Sequence, residues 1–235
     1  MDDQAIITKL HGAVATYKMP ENAKSLALSS NLLLLCGITA SGKNTIVTYL
    51  IEHDNFETVV SHTTRQPRVN HGELEQNGRE YWFVNAAEML TLVEAHAFLE
   101  VKAIHGETCY GTSISSLQKA VSDGKRPVME IDVQGALELT QAIPHLRPVF
   151  ILPPSYEVWM ERLGTRGGIS DGDKMRRLRS ASMEIQTALD HPAFQMVINH
   201  EVHFTAGELM RGISPDSSVQ QDARALAQEL LQYVR

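Results

Sequence analysis

Hydrophobic and polar positions along the chain follow two rhythms. Ile6, Ile7, Leu10, Val14 and Tyr17 recur at helical spacing behind Asp2 and Asp3, acidic residues suited to cap a helix, and Pro20 closes that segment. The stretch NAKSLAL predicts one further short turn, so residues 1–30 read as a helical extension whose apolar face docks on a core. Leu32–Cys36 (LLLLC) is a continuous apolar run, the pattern of a strand buried on both faces. PVMEID (Pro127–Asp132), PVFIL (Pro148–Leu152) and MVIN (Met196–Asn199) repeat it. Helical stretches lie among them: Asn44–His53, Ala86–Ala97, Ser113–Asp123, Gly135–Ile143 and Tyr156–Leu163. Strands alternating with helices predict an α/β fold, a parallel sheet flanked by helices. Thr63–Thr112 breaks the rhythm: it is polar, contains Gly, and holds only the short strand-like YWFV (Tyr81–Val84), as expected of an inserted subdomain. Val219, Ala223, Leu226, Leu230 and Val234 share one face of a last helix, started near Pro215, Ser217 and Ser218.

Composition narrows the classes. A chain of 235 residues suits one α/β domain with subdomains. With 21 Lys and Arg against 28 Asp and Glu, the net charge of −7 argues against a broad nucleic-acid or membrane surface. Any phosphate must therefore meet a local basic cluster. Two cysteines, Cys36 and Cys109, make neither a disulfide framework nor a metal set. The longest apolar run is far too short to span a bilayer, and MDDQAIITKL lacks a signal-peptide pattern. A reduced, cytoplasmic, soluble protein is expected.

The first candidate site follows the LLLLC strand. Gly37–Thr45 reads GITASGKNT, a Gly-x-x-x-x-Gly-Lys turn between a buried strand and a helix. Such a turn leaves backbone N–H groups converging on one point, and the helix N-terminus adds partial positive charge. Gly37 and Gly42 permit the backbone angles and Lys43 reaches the β- and γ-phosphates, so Gly37, Ala40, Ser41, Gly42, Lys43, Asn44 and Thr45 are candidates for ATP. The pattern asks for a hydroxyl after the lysine, where Asn44 stands; Thr45, one position on, keeps one and is the candidate for Mg²⁺.

The second cluster is SHTTRQPR (Ser61–Arg68). Two arginines in a loop fixed by Pro67 suit a dianionic phosphate, which a guanidinium fork grips with paired hydrogen bonds. Tyr81 and Tyr110 add phenol donors, and Glu73 and Glu100 add carboxylates, within the same insertion.

With these residues in place the sequence resembles the guanylate kinases, from about Leu32 to Asn199 and beyond. The resemblance is carried by GITASGKNT, VSHTTRQPR, GREYWFV, FLE (Phe98–Glu100), YGTS (Tyr110–Ser113), EIDVQGA (Glu130–Ala136), FILPPS (Phe150–Ser155), ERLGTRG (Glu161–Gly167) and RRL (Arg176–Leu178). It implies a P-loop NTPase-type sheet with an inserted GMP-binding subdomain at about 63–112 and a short lid at about 163–177, the kinase domain covering 31–235. It implies that Arg65, Arg68, Tyr81 and Tyr110 hold the GMP phosphate, and that Ser61, Glu100 and Thr112 read the guanine. Glu73 and Asp132 would sit around the ribose, the guanine edge and the arginines. Arg166 and Arg177 match the lid arginines, which with Lys43, Arg68 and Mg²⁺ would stabilise the phosphoryl group in transfer. Asn199 matches a position near the adenine of ATP. The chemistry agrees: one carboxylate accepts guanine N1–H and N2–H side by side, whereas adenine leaves it partly unpaired.

Some positions depart from the family's pattern. Asn44 follows the lysine, Glu130 stands where Asp is common, Cys109 replaces a frequent Tyr, and RVNHGELEQNGREY is lengthened. Residues 1–30 and the segment around Thr205–Ser218 have no clear counterpart. His62, His71, His105 and His200 lack ligand spacing and are expected to be ordinary surface or pocket-edge histidines. Cys36 is expected to be a core thiol, and Cys109 to line the GMP pocket, where GMP would protect it from alkylation. The expected activity is ATP-dependent phosphorylation of GMP and dGMP, with GMP and ATP as small-molecule partners. The rivals are a non-catalytic module binding a phosphorylated partner and a P-loop kinase for another phosphorylated small molecule. Monomer and homodimer both stay open.

Overall fold

The structure, a computed structural model, describes the chain apart from residues 1, 71, 105–107, 166–170, 215 and 235, and apart from the side chains of 70 and 165. In chain order come α1 (Asp3–Ala15), α2 (Glu21–Ser29), β1 (Leu33–Gly37), α3 (Lys43–His53), β2 (Phe56–Thr58), β3 (Ser61–Thr63), β4 (Val69–Asn70), β5 (Glu73–Leu74) and β6 (Trp82–Phe83). There follow α4 (Ala86–Glu94), β7 (Phe98–Ile104), β8 (Thr108–Ser113), α5 (Ile114–Ser122), β9 (Arg126–Glu130), α6 (Val133–Ala142) and β10 (Val149–Leu152). The chain ends through α7 (Tyr156–Thr165), α8 (Asp171–Asp190), β11 (Gln195–Ile198), α9 (Val202–Arg211) and α10 (Ser218–Val234). Two compact units form: Met1–Leu32 with Glu57–Met129, and Leu33–Phe56 with Glu130–Arg235.

In the first unit the strand order is β6-β3-β8-β7. Asp2 caps α1 by accepting from the Ala5 N–H. The predicted stripe then packs, although the helix stops short of Tyr17: Ile6, Leu10, Ala13 and Val14 of α1, with Tyr17 just past its end, meet Met89, Leu90 and Val93 of α4 and Phe98, Val101 and Cys109 of the sheet. Leu10 is only 2 % exposed, so its truncation to alanine removes roughly 2–5 kcal/mol. The extension thus shares one core with the inserted subdomain. The segment NAKSLAL forms α2, longer than the single turn expected.

Period-2 alternation sorts β8 into two faces. Cys109 points into the α1–α4 core, and Gly111 lies against the Phe98 ring, where any Cβ would crowd its carbons at 2.7 Å. Tyr110 and Thr112 point the other way. The pocket-lining role expected for Cys109 is thereby corrected: its neighbours are core side chains, it is fully buried, and burial pushes its thiol pKa up. It is sheltered from alkylation whether or not GMP is bound.

In the second unit β1, β10 and β11 pair in parallel, with Leu35 opposite Val149 and Phe150 opposite Met196. Buried on both faces, these strands are the continuous apolar runs of the sequence. Cys36, Phe150, Trp159, Ile185, Phe194, Met196 and Leu230 share the core. Cys36 is the expected core thiol, its pKa pushed up by burial. The long helix α8 covers ground on which no helix was predicted. Its buried positions are Ala181, Ile185 and Ala188, a thin stripe of mostly small residues that gives little periodic signal. No helix among the described residues is long and apolar enough to cross a membrane.

Candidate active site

The Gly-rich turn joins β1 to α3 within the second unit. Gly37 has φ 139° and stands opposite Ile151, whose backbone oxygen a Cβ at this position would strike. Gly42 precedes α3 with φ 94°, and a Cβ there would collide with the Asn199 amide. Ala40 adopts φ 61°, left-handed although it has a Cβ, a conformation that surrounding structure must hold. Two side chains hold it. Trp159 Nε1 donates to the Thr39 carbonyl (2.9 Å), and Asn199 Nδ2 donates to the Ser41 carbonyl (2.9 Å). Asn199 is 2 % exposed and its Oδ1 accepts from Thr205 (3.3 Å), so each end of the amide has a partner within the protein. The structure therefore gives this residue, expected beside adenine, the part of a brace on the loop.

Lys43 folds back over the turn, donating to the Gly37 and Ile38 carbonyls at 2.5 and 3.0 Å. Asn44 and Thr45 are exposed on the first turn of α3. Ser41 is fully buried and its hydroxyl has no hydrogen-bond partner among the described residues. On α8, burial pushes the Glu184 carboxyl pKa up while the Ser180 hydroxyl and the Lys43 charge pull it down. Arg177 stands on α8, partly buried. Arg166, the other expected lid arginine, lies outside the described residues. Asp132 also belongs to this unit, where its carboxylate caps α6 by accepting from the Gly135 N–H (2.8 Å).

The first unit carries the other group of expected residues. Ser61 of β3 stands opposite Thr112 of β8, their hydroxyl oxygens 3.5 Å apart, and Thr112 donates to Glu100 Oε1 (2.7 Å). Three base-reading candidates from three strands thus form one hydrogen-bonded line. Nearby in sequence, Arg65 makes a two-pronged ion pair with Glu75, at 2.8 and 3.1 Å. Their side chains are only 10 % and 7 % exposed. The Arg65 guanidinium lies 5.2 Å from the Tyr81 ring centroid, and Tyr81 meets Tyr110 edge-on at 5.8 Å. Glu75 also accepts from the Arg68 backbone N–H (2.8 Å), while the Arg68 side chain is exposed.

Glu73 is placed differently. It lies on the β4–β5 hairpin, 76 % exposed, with Arg79 at 3.8 Å as its ion-pair partner. The carboxylate joined to the arginine–tyrosine cluster is Glu75. The lengthened loop shifted the choice, and nothing in the local sequence marked one glutamate over the other. Thr205 and Trp159 were missed as well. A tryptophan in the helix ahead of the lid was the one available signal, because a buried indole N–H must find an acceptor.

Among the described residues no group of three His, Cys, Asp or Glu is placed to hold a metal. His62 lies between the Trp82 and Phe98 rings at 6.3 and 5.5 Å, its Nδ1 buried without a partner among the described residues and its pKa lowered by burial. His200 is exposed, and His71 and His105 lie outside the described residues.

The family model for guanylate kinase matches residues 29–211. The chain belongs to the guanylate kinase family. It is 36 % identical to a guanylate kinase of Leifsonia xyli subsp. xyli over 185 residues, covering 77 % of this chain and 69 % of that one. It is likewise 36 % identical to one of Neisseria gonorrhoeae, covering 77 % and 85 %. The crystal structure of guanylate kinase from Anaplasma phagocytophilum superposes with a TM-score of 0.53 at 25 % identity, covering 87 % of this chain and 89 % of the other. Family membership and the α/β fold with its parallel sheet both match what the sequence motifs implied.

Proposed function

We propose that this protein transfers the γ-phosphoryl group of ATP to the phosphate of GMP, giving ADP and GDP, and that it accepts dGMP as well. The observation that carries the reading is the line Ser61–Thr112–Glu100. A carboxylate with a hydroxyl beside it matches guanine, which offers N1–H and N2–H to the one and O6 to the other. Another base leaves the carboxylate unpaired at a cost of about 1–3 kcal/mol per group. The line reads the base and not the sugar, which is why dGMP is expected to serve.

The GMP phosphate falls to Arg65, Arg68, Tyr81 and Tyr110. Arg65 is held charged and aimed by Glu75, so its remaining donors are fixed before substrate arrives. Arg68, with its side chain exposed, is free to swing onto the dianion. In the second unit the backbone N–H groups of the turn receive the ATP phosphates, and Lys43 exchanges its two loop carbonyls for phosphate oxygens. Arg177 and Arg166 add positive charge as the phosphoryl group moves. The acceptor oxygen is already anionic, so no general base is required.

The one exposed hydroxyl of Thr45, on the first turn of α3, fits a cation that arrives with ATP and keeps most of its waters. Such a Mg²⁺ would neutralise charge on the β- and γ-phosphates. Cytoplasm is the expected location, where both substrates are found and two unpaired buried thiols persist.

Coupled ADP release with MgATP against GMP, dGMP, AMP, CMP and UMP tests the reading. Turnover is expected with GMP and dGMP alone. Glu100→Gln, which swaps one acceptor for a donor, is expected to lower kcat/KM for GMP by about 10²-fold. Equal rates with AMP, or an unchanged GMP rate in Glu100→Gln, would overturn it.

A further inference from the structure

Residues 1–28 precede the stretch the family model matches, yet one of their side chains reaches the base-reading strand. The Tyr17 hydroxyl donates to the Phe98 carbonyl (2.5 Å) and accepts from the Phe98 N–H (3.0 Å). Strand β7 is the outermost of its sheet, so these two backbone groups have no strand neighbour on that side. One phenol satisfies both.

What lies just beyond makes the contact consequential. The β7–β8 register slips between Phe98 and Val101, and Glu100 stands within that irregularity. A bulge re-aims the side chains it carries while giving up ladder bonds that would otherwise fix them. The direction of Glu100 then depends on what holds the strand immediately before it: the pairing of Phe98 with Ser113 on one side and Tyr17 on the other. The phenol is itself well seated. Its ring lies 5.6 Å from His96 and 6.5 Å from Phe98, two residues past the end of α1, a helix whose apolar stripe shares the core with α4. Burial pushes the phenol pKa up and the Glu100 charge adds to this, so the hydroxyl remains protonated and able to donate.

We propose that Tyr17 is a positioning residue for base recognition: its hydroxyl pins Phe98, and through the bulge sets the aim of Glu100 at the guanine N1–H and N2–H. The inference rests on Glu100 being the guanine-reading carboxylate. It makes the N-terminal helix a working part of the acceptor site.

The test compares full-length wild type, Tyr17→Phe and Leu10→Ala, each with GMP, with IMP (which lacks the 2-amino group) and with varied MgATP. Tyr17→Phe keeps the ring packing and is expected to raise KM for GMP about 3–10-fold and to narrow the preference for GMP over IMP. Its kcat and its KM for ATP should stay within about twofold of wild type. Leu10→Ala, which loosens the same helix but keeps the hydroxyl, should lower the melting temperature and leave KM for GMP within about twofold. Calorimetric titration of GMP into the same proteins reads the difference without turnover. A Tyr17→Phe enzyme with wild-type GMP affinity and base preference would sink the proposal, as would Leu10→Ala weakening GMP equally. A wild type that neither turns over nor binds GMP would instead remove the functional reading beneath it.

Discussion

On the proposed reading, the two units would meet their nucleotides by different means. In the second, the receiving surface is mostly main chain: a turn shaped by Gly37, Ala40 and Gly42 and braced from outside by Trp159 and Asn199. In the first, recognition is almost entirely side chain: Arg65 on Glu75, and Glu100 on Thr112 beside Ser61. A main-chain site tolerates exchange of the side chains that merely point outward, and on this reading Asn44, exposed on the first turn of α3, would be such an exchange. A side-chain site is specified atom by atom and tolerates little. The lesson is that apparent departures from a motif should be weighed by which kind of site they fall in.

The contrast can be attacked where it is strongest. If the nucleotide turn is a matter of backbone, a single methyl should ruin it. Gly42→Ala forces a residue with a Cβ to φ 94° and drives the Asn199 amide off Ser41. Strain of about 1–3 kcal/mol, with the lost brace, should lower kcat/KM for ATP by about 10²-fold or more. Asn44→Ala, two positions on, should change it by less than about fivefold. Comparable losses in the two variants would erase the distinction.

In the other unit the expected effect on nucleotide binding is smaller, and the main loss is in stability. Glu75→Ala leaves the Arg65 guanidinium buried without its partner. Chemical denaturation should show a loss of about 3–5 kcal/mol, and GMP affinity should weaken while ATP affinity does not. Glu73→Ala, at an exposed position on the hairpin, should be nearly silent in both assays. Reversal of that order would return the role to Glu73.

The smallest effect concerns His62, seated between two aromatic rings. Burial lowers its pKa, so the folded protein binds a proton less readily than the unfolded chain. Its contribution to stability is complete above the unfolded value of about 6.5 and is lost as pH falls through the lower folded value. The wild-type melting temperature should therefore fall between about pH 7 and pH 5. His62→Phe should flatten that slope. An unaltered slope would show that other groups control acid stability.

Much of this was legible beforehand. The LLLLC, PVFIL and MVIN runs read correctly because strands buried on both faces have no polar alternation to confuse them. The stripe from Ile6 to Val14 read correctly because α1 packs on one face only, whereas Tyr17 lies beyond the helix end. Reading failed where the signal was tertiary. Glu73 and Glu75 both lie on a lengthened loop, and only the fold shows which one turns inward. Cys109 sits in a strand whose two faces meet different surroundings, so its register decided its role. Nothing local in the sequence marked Asn199 as bonding Ser41 and Thr205. Helix α8 escaped because its buried stripe is built of small residues.

The contact between Tyr17 and Phe98 spans 81 positions of sequence, which has a consequence for how the chain comes to be folded. During synthesis α1 emerges before α4 and β7 and must wait for both before its apolar face is covered. Meanwhile 33–56, destined for the second unit, emerges and must itself wait for the strands that follow residue 130. Each unit is interrupted by the other, so neither can close while the ribosome is still making its partner segments. Ribosome-bound chains that end at about residue 90 should thus expose both the α1 stripe and the LLLLC run, and it is at that stage that the protein is most in need of a chaperone.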